Sequence, residues 1–321
     1  MTEQYTYAVA RIRAKELTLL DRQAVDQLMA CHSYEECFRM LQERGWGTGE
    51  EKNTEQLLSA EMDKTWNLMK ELLGDTSVFD VFRYPSDFNN MKAAIKAVVT
   101  GADFTGVFLD GGTIEPMQMV EAVQKNDFSV LPQMIRDPAS EAYQTLLHTR
   151  DGQLCDIILD SAALHAILTA GKNSGNELIM RYAELTVAAA NIKIAVRGCK
   201  TGKSSSFLKR AMVPCDTLDL DPLIAAACKN EEEIYAYLTN TVYSSAVDSL
   251  KLSPSAFEKW CDDVIISMIK DQKSNPFTVG PLAAFLLAKE NEIKTARILL
   301  SGKLNGLDDM AIRERLREMY V

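Results

Sequence analysis

One four-residue pattern recurs along this chain at a fixed interval. Asn89-Asn90-Met91-Lys92, Ala190-Asn191-Ile192-Lys193 and Asn291-Glu292-Ile293-Lys294 align without gaps, and their lysines stand 101 residues apart each time. Met91, Ile192 and Ile293 share one slot, and Val98, Cys199 and Leu300 share another. The match breaks at Arg297, which stands where Ile95 and Val196 stand in the other two copies. A second pattern lies upstream of each lysine: Cys31-His32-Ser33-Tyr34-Glu35-Glu36, Gln124-Lys125-Asn126-Asp127 and Cys228-Lys229-Asn230-Glu231-Glu232-Glu233. It reads as a helix end followed by a polar, acid-rich turn into the next helix, where acids complement the helix dipole. Self-similarity at a fixed period means that one supersecondary unit is built repeatedly. The chain therefore divides into three related units, roughly 17–100, 113–203 and 217–306, followed by a tail. The corresponding domains are 1–106, 107–210 and 211–321. At roughly 90 residues, each exceeds the roughly 34–47 of a two-helix solenoid repeat and has room for a small helical bundle of its own.

Periodicity assigns helices to those units. Met62, Trp66, Met69 and Leu73 step by three and four residues, as do Phe88, Met91, Ile95 and Val98, and Leu185, Ala189, Ile192 and Val196. Each set places one apolar stripe on one helix face. No segment of similar length alternates with period two, so an all-α fold is expected. Composition agrees: Gly 16 and Pro 9 among 321 residues fall below the usual share of about 12%. Breaks are expected at Gly45–Gly47, Gly101–Gly112, Gly171–Gly175, Gly198–Ser206 and Ser274–Pro281. Pro116, Pro222 and Pro281 suit first helical positions, where a missing N–H costs nothing. Asp87 or Ser86 suits the cap of the helix that follows Pro85.

Several functions are disfavoured. The net charge is −10, from 45 acidic and 35 basic residues, whereas a general nucleic-acid binder carries a basic excess. No apolar run approaches the ~18 residues of a membrane span. The stretch from Pro281 to Ala288 has eight. The opening residues, MTEQYTYAVARIRAKE, place charges where a secretory signal would be apolar. Seven cysteines, an odd number without framework spacing, suit reduced thiols.

Motifs able to carry chemistry are thin. Gly198-Cys199-Lys200-Thr201-Gly202-Lys203-Ser204 ends like a phosphate-binding loop. Arg197, however, stands where that loop needs its first glycine, and a helical pattern precedes it where a strand is required. Around this segment lies the clearest charge cluster. Lys193, Arg197, Lys200, Lys203, Lys209 and Arg210 meet no acid in sequence between Glu184 and Asp216. A local charge reversal of this kind suits an acidic partner or lipid headgroups. Cys31, His32 and Cys37 lack a fourth ligand at zinc-finger spacing. His148, Cys155 and His165 are scattered, and nothing fixes Asp103, Asp110, Asp219 and Asp221 as an acid–base pair. No catalytic residue, metal or cofactor is expected.

The ends of the chain add a resemblance. The segments YTYAVARIRAKE (5–16), DFNNMK (87–92), GPLAAFLLAKENEIKTARIL (280–299), SGKLNGL (301–307) and IRERLREMYV (312–321) resemble, in order and spacing, the C subunit of the V-type/A-type ATP synthases of bacteria and archaea. That protein is the counterpart of the d subunit of the eukaryotic vacuolar proton pump. The resemblance covers the whole chain. It implies three similar helical units about a pseudo-threefold axis, forming a funnel-shaped body. It also implies a rotor part without catalytic activity, peripheral on the cytoplasmic side of the membrane. Such a part would join shaft subunits D and F to the membrane ring of proteolipid subunits, so that torque and ion transport (H⁺ or Na⁺) are coupled. Under this reading the candidate partner contacts are Lys92, Lys193 and Lys294, related by the repeat, and Arg197, Lys200, Lys203, Lys209 and Arg210. Arg11, Arg13, Arg313, Arg315 and Arg317 are expected to pair with neighbouring glutamates. The alternatives are a helical scaffold or adaptor unrelated to rotary complexes, and an enzyme built on Gly202-Lys203-Ser204.

Overall fold

The computed structural model describes residues 5–321, and every regular element among them is helical. After α1 (Thr6–Glu16), a four-helix order runs through the chain three times. The first pass is α2 (Arg22–Ala30), α3 (Tyr34–Glu43), α4 (Thr54–Leu73) and α5 (Tyr84–Thr100). The second is α6 (Pro116–Lys125), α7 (Gln133–Thr149), α8 (Gly152–Asn173) and α9 (Glu177–Lys200), followed by a short connector, α10 (Ser205–Ala211). The third is α11 (Leu220–Ala227), α12 (Glu231–Thr239), a short insert α13 (Val247–Leu252), α14 (Pro254–Lys270) and α15 (Gly280–Leu304), closed by α16 (Asp309–Arg315). The repeated Lys92, Lys193 and Lys294 each lie on the last helix of a pass.

By contact the chain forms two compact units. One comprises Met1–Thr76, Asn176–Leu178 and Asp248–Val321; the other comprises Ser77–Gly175 and Ile179–Val247. This grouping is offset from the sequence period because a pass-ending helix packs on the helices that follow it. Helix α5 packs on α6, α7 and α8, and α15 packs on α3 and α4 near the start of the chain.

In the first unit the core joins Leu28, Met29, Leu41, Leu57 and Leu58 to Ala296, Leu299 and Leu300 of α15. Helix α15 is buried over most of its circumference, its polar residues Lys289, Asn291, Glu292 and Thr295 included. Side-chain caps start its neighbours: Asp21 accepts from Ala24 N, Ser33 from Glu36 N, Asn53 from Gln56 N and Ser253 from Ala256 N. The buried stripe of α4 is Leu57, Leu58, Glu61, Thr65 and Met69. It is rotated from the expected Met62, Trp66, Met69 and Leu73 because two buried polar residues occupy it. Of the terminal arginines, Arg13 pairs with nearby Glu16, but Arg11 reaches Glu71, Arg313 reaches Asp26 and Arg317 reaches Asp262. Tyr320 Oη donates to Glu16 Oε1 and Arg13 Nη2 to the Gln272 carbonyl, tying α1 to the C-terminal segment.

In the second unit Phe88, Met91 and Ile95 of α5 meet Met119, Val123, Ile135, Ala139 and Leu159 of the following helices. Helix α8 has no unbroken apolar run of a bilayer's length, since Asp156 and Asp160 interrupt it, but it is apolar on average. By length and composition it could cross a membrane. The reason is its surroundings: it packs on α5, α7 and α10 within this unit, and Cys155, Ile158, Leu159 and Ala163 lie in the core. The breaks expected in 171–175 and 198–206 fall at 174–176 and 201–204, so Gly171 and Gly198 themselves are still helical. A Cβ on Gly171 would collide with that of Ala183, and one on Gly198 would meet Leu208 Cδ2 at 2.6 Å. Both glycines therefore serve close packing. All three prolines lie in first turns, but only Pro116 holds the first position; Pro281 is the second residue of α15 and Pro222 the third of α11. The acid-rich turn opens α3 and α12 as expected. Asp127 instead bonds Ser129 in a loop, and α7 starts only at Gln133.

Candidate functional site

The last helix of each pass grips a distant backbone segment through a buried polar side chain. Asn90 Nδ2 donates to the Leu109 carbonyl at 2.9 Å, and Leu109 N donates to Asn90 Oδ1 at 2.7 Å. At the same slot of the next copy, Asn191 Nδ2 donates to the Val213 carbonyl at 2.7 Å, and its Oδ1 accepts from Val213 N at 3.0 Å. In the third copy the slot holds Glu292, whose Oε1 accepts from Leu20 N. Leu20, Leu109 and Val213 all lie in the segments leading into α2, α6 and α11. Each grip satisfies backbone groups of an irregular segment that no helix satisfies.

On α5 the grip is reinforced. Asp87 is not a helix cap. Helix α5 begins at Tyr84, and the Asp87 carboxylate is buried, accepting from Thr113 N, Thr113 Oγ1 and Ile114 N. Arg83 donates to the Gly111 and Gly112 carbonyls. Burial raises the Asp87 pKa, and the Thr113 and Ile114 bonds partly oppose it. The sequence reading singled out the repeated lysines and missed these gripping residues, whose signal was a polar slot two positions before each lysine.

The lysines themselves are engaged locally. Lys92 pairs with Asp160 and, one turn on, Lys96 pairs with Asp156 at 2.6 Å. Lys294 pairs with Asp262 at 2.8 Å, and Arg317 takes the other oxygen of that carboxylate. Lys193 is exposed on α9.

The basic stretch meets acids that its local sequence does not reveal. Lys200 pairs with Glu231 at 3.3 Å, Lys209 approaches Asp221 at 4.0 Å, and Arg210 pairs with Glu141 at 3.4 Å. Lys203 donates to Gln153 Oε1 and lies over the Phe207 ring at 4.8 Å. Arg197 makes no ion pair among the described residues. With Lys203 it borders a cleft of about 280 Å³ whose walls include Ile157, Ile194 and Phe207. The segment resembling a phosphate loop is a helix end. Thr201, Gly202 and Lys203 donate their N–H groups to the carbonyls of Arg197, Cys199 and Gly198, and Gly202 has φ +62°. Ser204 caps α10. Backbone donors already committed in this way do not encircle a phosphate.

A second group that sequence reading passed over is ionic. Lys289, 4% exposed, pairs with Glu61 at 3.1 Å and with Glu292 at 2.5 Å, and sits 5.2 Å from the Trp46 ring centre. Burial works to lower the lysine pKa, but Glu292 and Glu61 outweigh it and hold it raised. Burial raises Glu292 despite Lys289. Burial also works to raise Glu61, yet Lys289 and Lys64 keep that group low. Burial pushes the Cys37 thiol up to about 12 and those of Cys155 and Cys215 to about 11. Among the described residues no three His, Cys, Asp or Glu side chains gather as a metal site, and His148 and His165 are exposed and apart.

Residues 8–315 match the family described as ATP synthase (C/AC39) subunit. Over 96% of its length the chain is 23% identical to the C subunit of the V-type sodium ATPase of Enterococcus hirae, covering 97% of that protein. It is 23% identical to the C subunit of the A-type ATP synthase of Desulfurococcus sp. over 98% of its length and 91% of the relative. It is 22% identical to the C subunit of a V-type ATP synthase of Thermus thermophilus, over 98% of its length and 99% of the relative. All-helical, repeated in sequence and matched from end to end, the chain belongs to the ATP synthase (C/AC39) subunit family.

Proposed function

We propose that the chain is the non-catalytic rotor coupler of a V/A-type rotary ATPase or ATP synthase. In this reading it joins shaft subunits D and F to the proteolipid ring, on the cytoplasmic side of the membrane and peripheral to it. Its three sequence units, 1–106, 107–210 and 211–321, are arranged about a pseudo-threefold axis as a funnel. The observation that carries the reading is the full-length family match, since relatives named as C subunits of rotary ATPases align over nearly the whole chain. The physics suits it. A torque coupling has to be stiff, and close-packed helices are stiff. It also has to hold partners by extended complementary surfaces without doing chemistry. The buried grips of Asn90, Asn191 and Glu292 support the reading, because they fix the irregular segments between helices that would otherwise yield under load.

The candidate contacts are Lys92, Lys193 and Lys294, with Arg197, Lys200, Lys203, Lys209 and Arg210. Those now held in surface ion pairs exchange them at little cost, since such pairs are worth about 0–1 kcal/mol. Two experiments test the function. The chain should co-purify with shaft and ring subunits, and adding it to a complex that lacks it should restore ion transport coupled to ATP turnover. Binding to neither shaft nor ring would leave a helical adaptor outside the rotary complex. Loss of coupling in a charge-reversal series over the eight basic residues would assign the contact face.

A further inference from the structure

The first compact unit carries a second cleft, unrelated to the contacts above. It is open to solvent and encloses about 580 Å³. Its walls hold five cations, Arg11, Lys15, Arg44, Lys64 and Lys289, against two carboxylates, Glu61 and Glu71. In a chain of net charge −10 this is a local reversal of sign. The floor is electrically balanced: Lys289 and Lys64 are matched by Glu61 and Glu292. On the rim Arg11 is matched by Glu71. Two rim cations remain uncompensated. Lys15 makes no ion pair among the described residues, and Arg44 donates only to the neutral amide of Gln27. Both are exposed.

Geometry selects the kind of anion. The helix ends nearest these two cations are the C-termini of α1 and α3, which present carbonyls and partial negative charge. A compact phosphate seeks the opposite, converging N–H groups at a helix N-terminus. Separated carboxylates on a flexible backbone can meet Lys15 and Arg44 one by one without approaching those carbonyls. We propose that this cleft binds an acidic, extended segment of a partner protein, with Lys15 and Arg44 as its principal contacts.

The test uses a fluorescently labelled hexaglutamate peptide and the full chain, read by anisotropy. The overall charge of the chain opposes such a peptide, so saturable binding requires a local site. The peptide should bind and should weaken by roughly tenfold or more between low and physiological salt. Lys15→Gln combined with Arg44→Gln should raise the Kd at least about fivefold, since charged rim contacts carry this interaction. Lys125→Glu, an exposed charge reversal in the other compact unit, should change it less than about twofold. Circular dichroism of the double variant checks that it is folded, and Lys15→Gln alone, on an exposed helix face, gives an independent reading. Absence of peptide binding, equal affinity of the wild type and the folded variants, or inorganic pyrophosphate displacing the peptide with higher affinity than the peptide itself would each overturn the proposal.

Discussion

Replacing Lys289 with Met removes one cation from beneath two carboxylates, and the structure sets both the size and the pH dependence of the result. Lys289 is 4% exposed and Glu292 1%, so neither charge finds water when the other is lost. Removing one partner of a buried pair costs about 3–5 kcal/mol, because the remaining charge is left uncompensated. Glu61 retains Lys64 at 3.0 Å and suffers less. Glu292 retains only the Leu20 N–H and bears most of the loss. The sign follows from the titration of each carboxylate. Glu292 already has a raised folded pKa from burial, and without Lys289 it rises further. Its penalty is therefore greatest at neutral pH and fades as pH falls through the new folded value toward the ordinary 4.5. Glu61 is held below its ordinary value, so it stabilises the fold above the unfolded pKa, and losing Lys289 forfeits part of that at neutral pH. Urea unfolding at pH 7 and pH 4.5 should show a deficit of about 3–5 kcal/mol in the first and a clearly smaller one in the second. Adding Glu292→Gln to Lys289→Met should recover a good part of the neutral-pH loss. A deficit equal at both pH values, with no recovery in the double variant, would show that Lys289 matters for its packing and not its charge.

Other consequences follow from the same structure. Asn191→Ala should cost about 2–4 kcal/mol in urea unfolding, because it leaves the buried Val213 N–H and carbonyl without partners; a loss under about 1 kcal/mol would mean that the segment re-pairs elsewhere. Glu290 is pushed up to about 7, first by burial and then by Asp262, with Lys294 opposing. A carboxyl with a raised folded pKa favours the fold below its unfolded value of 4.5 and loses that benefit as pH rises through about 7. Glu290→Gln should accordingly flatten the decline between those limits, by about 1–2 kcal/mol once the remaining solvent contact of the side chain is allowed for. Gly171→Val should lower stability by about 1–3 kcal/mol through overpacking of α8 against Ala183, and Ala183→Gly in the same chain should return part of it, measured as a shift in Tm.

How much of this was legible in the sequence depends on range. Helix class follows from local periodicity and is present in the element order, whereas the 101-residue interval says nothing of which helices pack together, and by contact they form two units. The apolar faces of α5 and α9 were legible because the buried polar residues there, Asp87, Asn90 and Asn191, stand beside the apolar stripe and do not replace it. On α4 the buried face carries Glu61 and Thr65, so hydrophobicity alone rotated the stripe. The same blindness explains the basic stretch. Its acids, Glu141, Asp221 and Glu231, come from three other helices, and no window around residues 193–210 contains them. It explains Asp87 as well: a residue two positions after a proline reads as a cap until Thr113 and Ile114 arrive to be bound. Long-range electrostatics is what a one-dimensional reading loses, and repetition is what restores part of it. Asn90 and Asn191 occupy one slot at one interval and make the same paired bond, so the repeat marked them without any knowledge of their partners. The third copy replaces Asn with Glu292, whose carboxylate can accept from Leu20 N but has no N–H to return. The missing donor is offset by the buried cation Lys289, and α15 becomes the pass-ending helix whose grip is ionic. A chain that closes its last helix onto its first segment by charge, and holds the Val213 segment by the neutral amide of Asn191, should lose the Leu20 grip before the Val213 one on acidification, with amide exchange near Leu20 rising at a pH where the segment at Val213 remains protected.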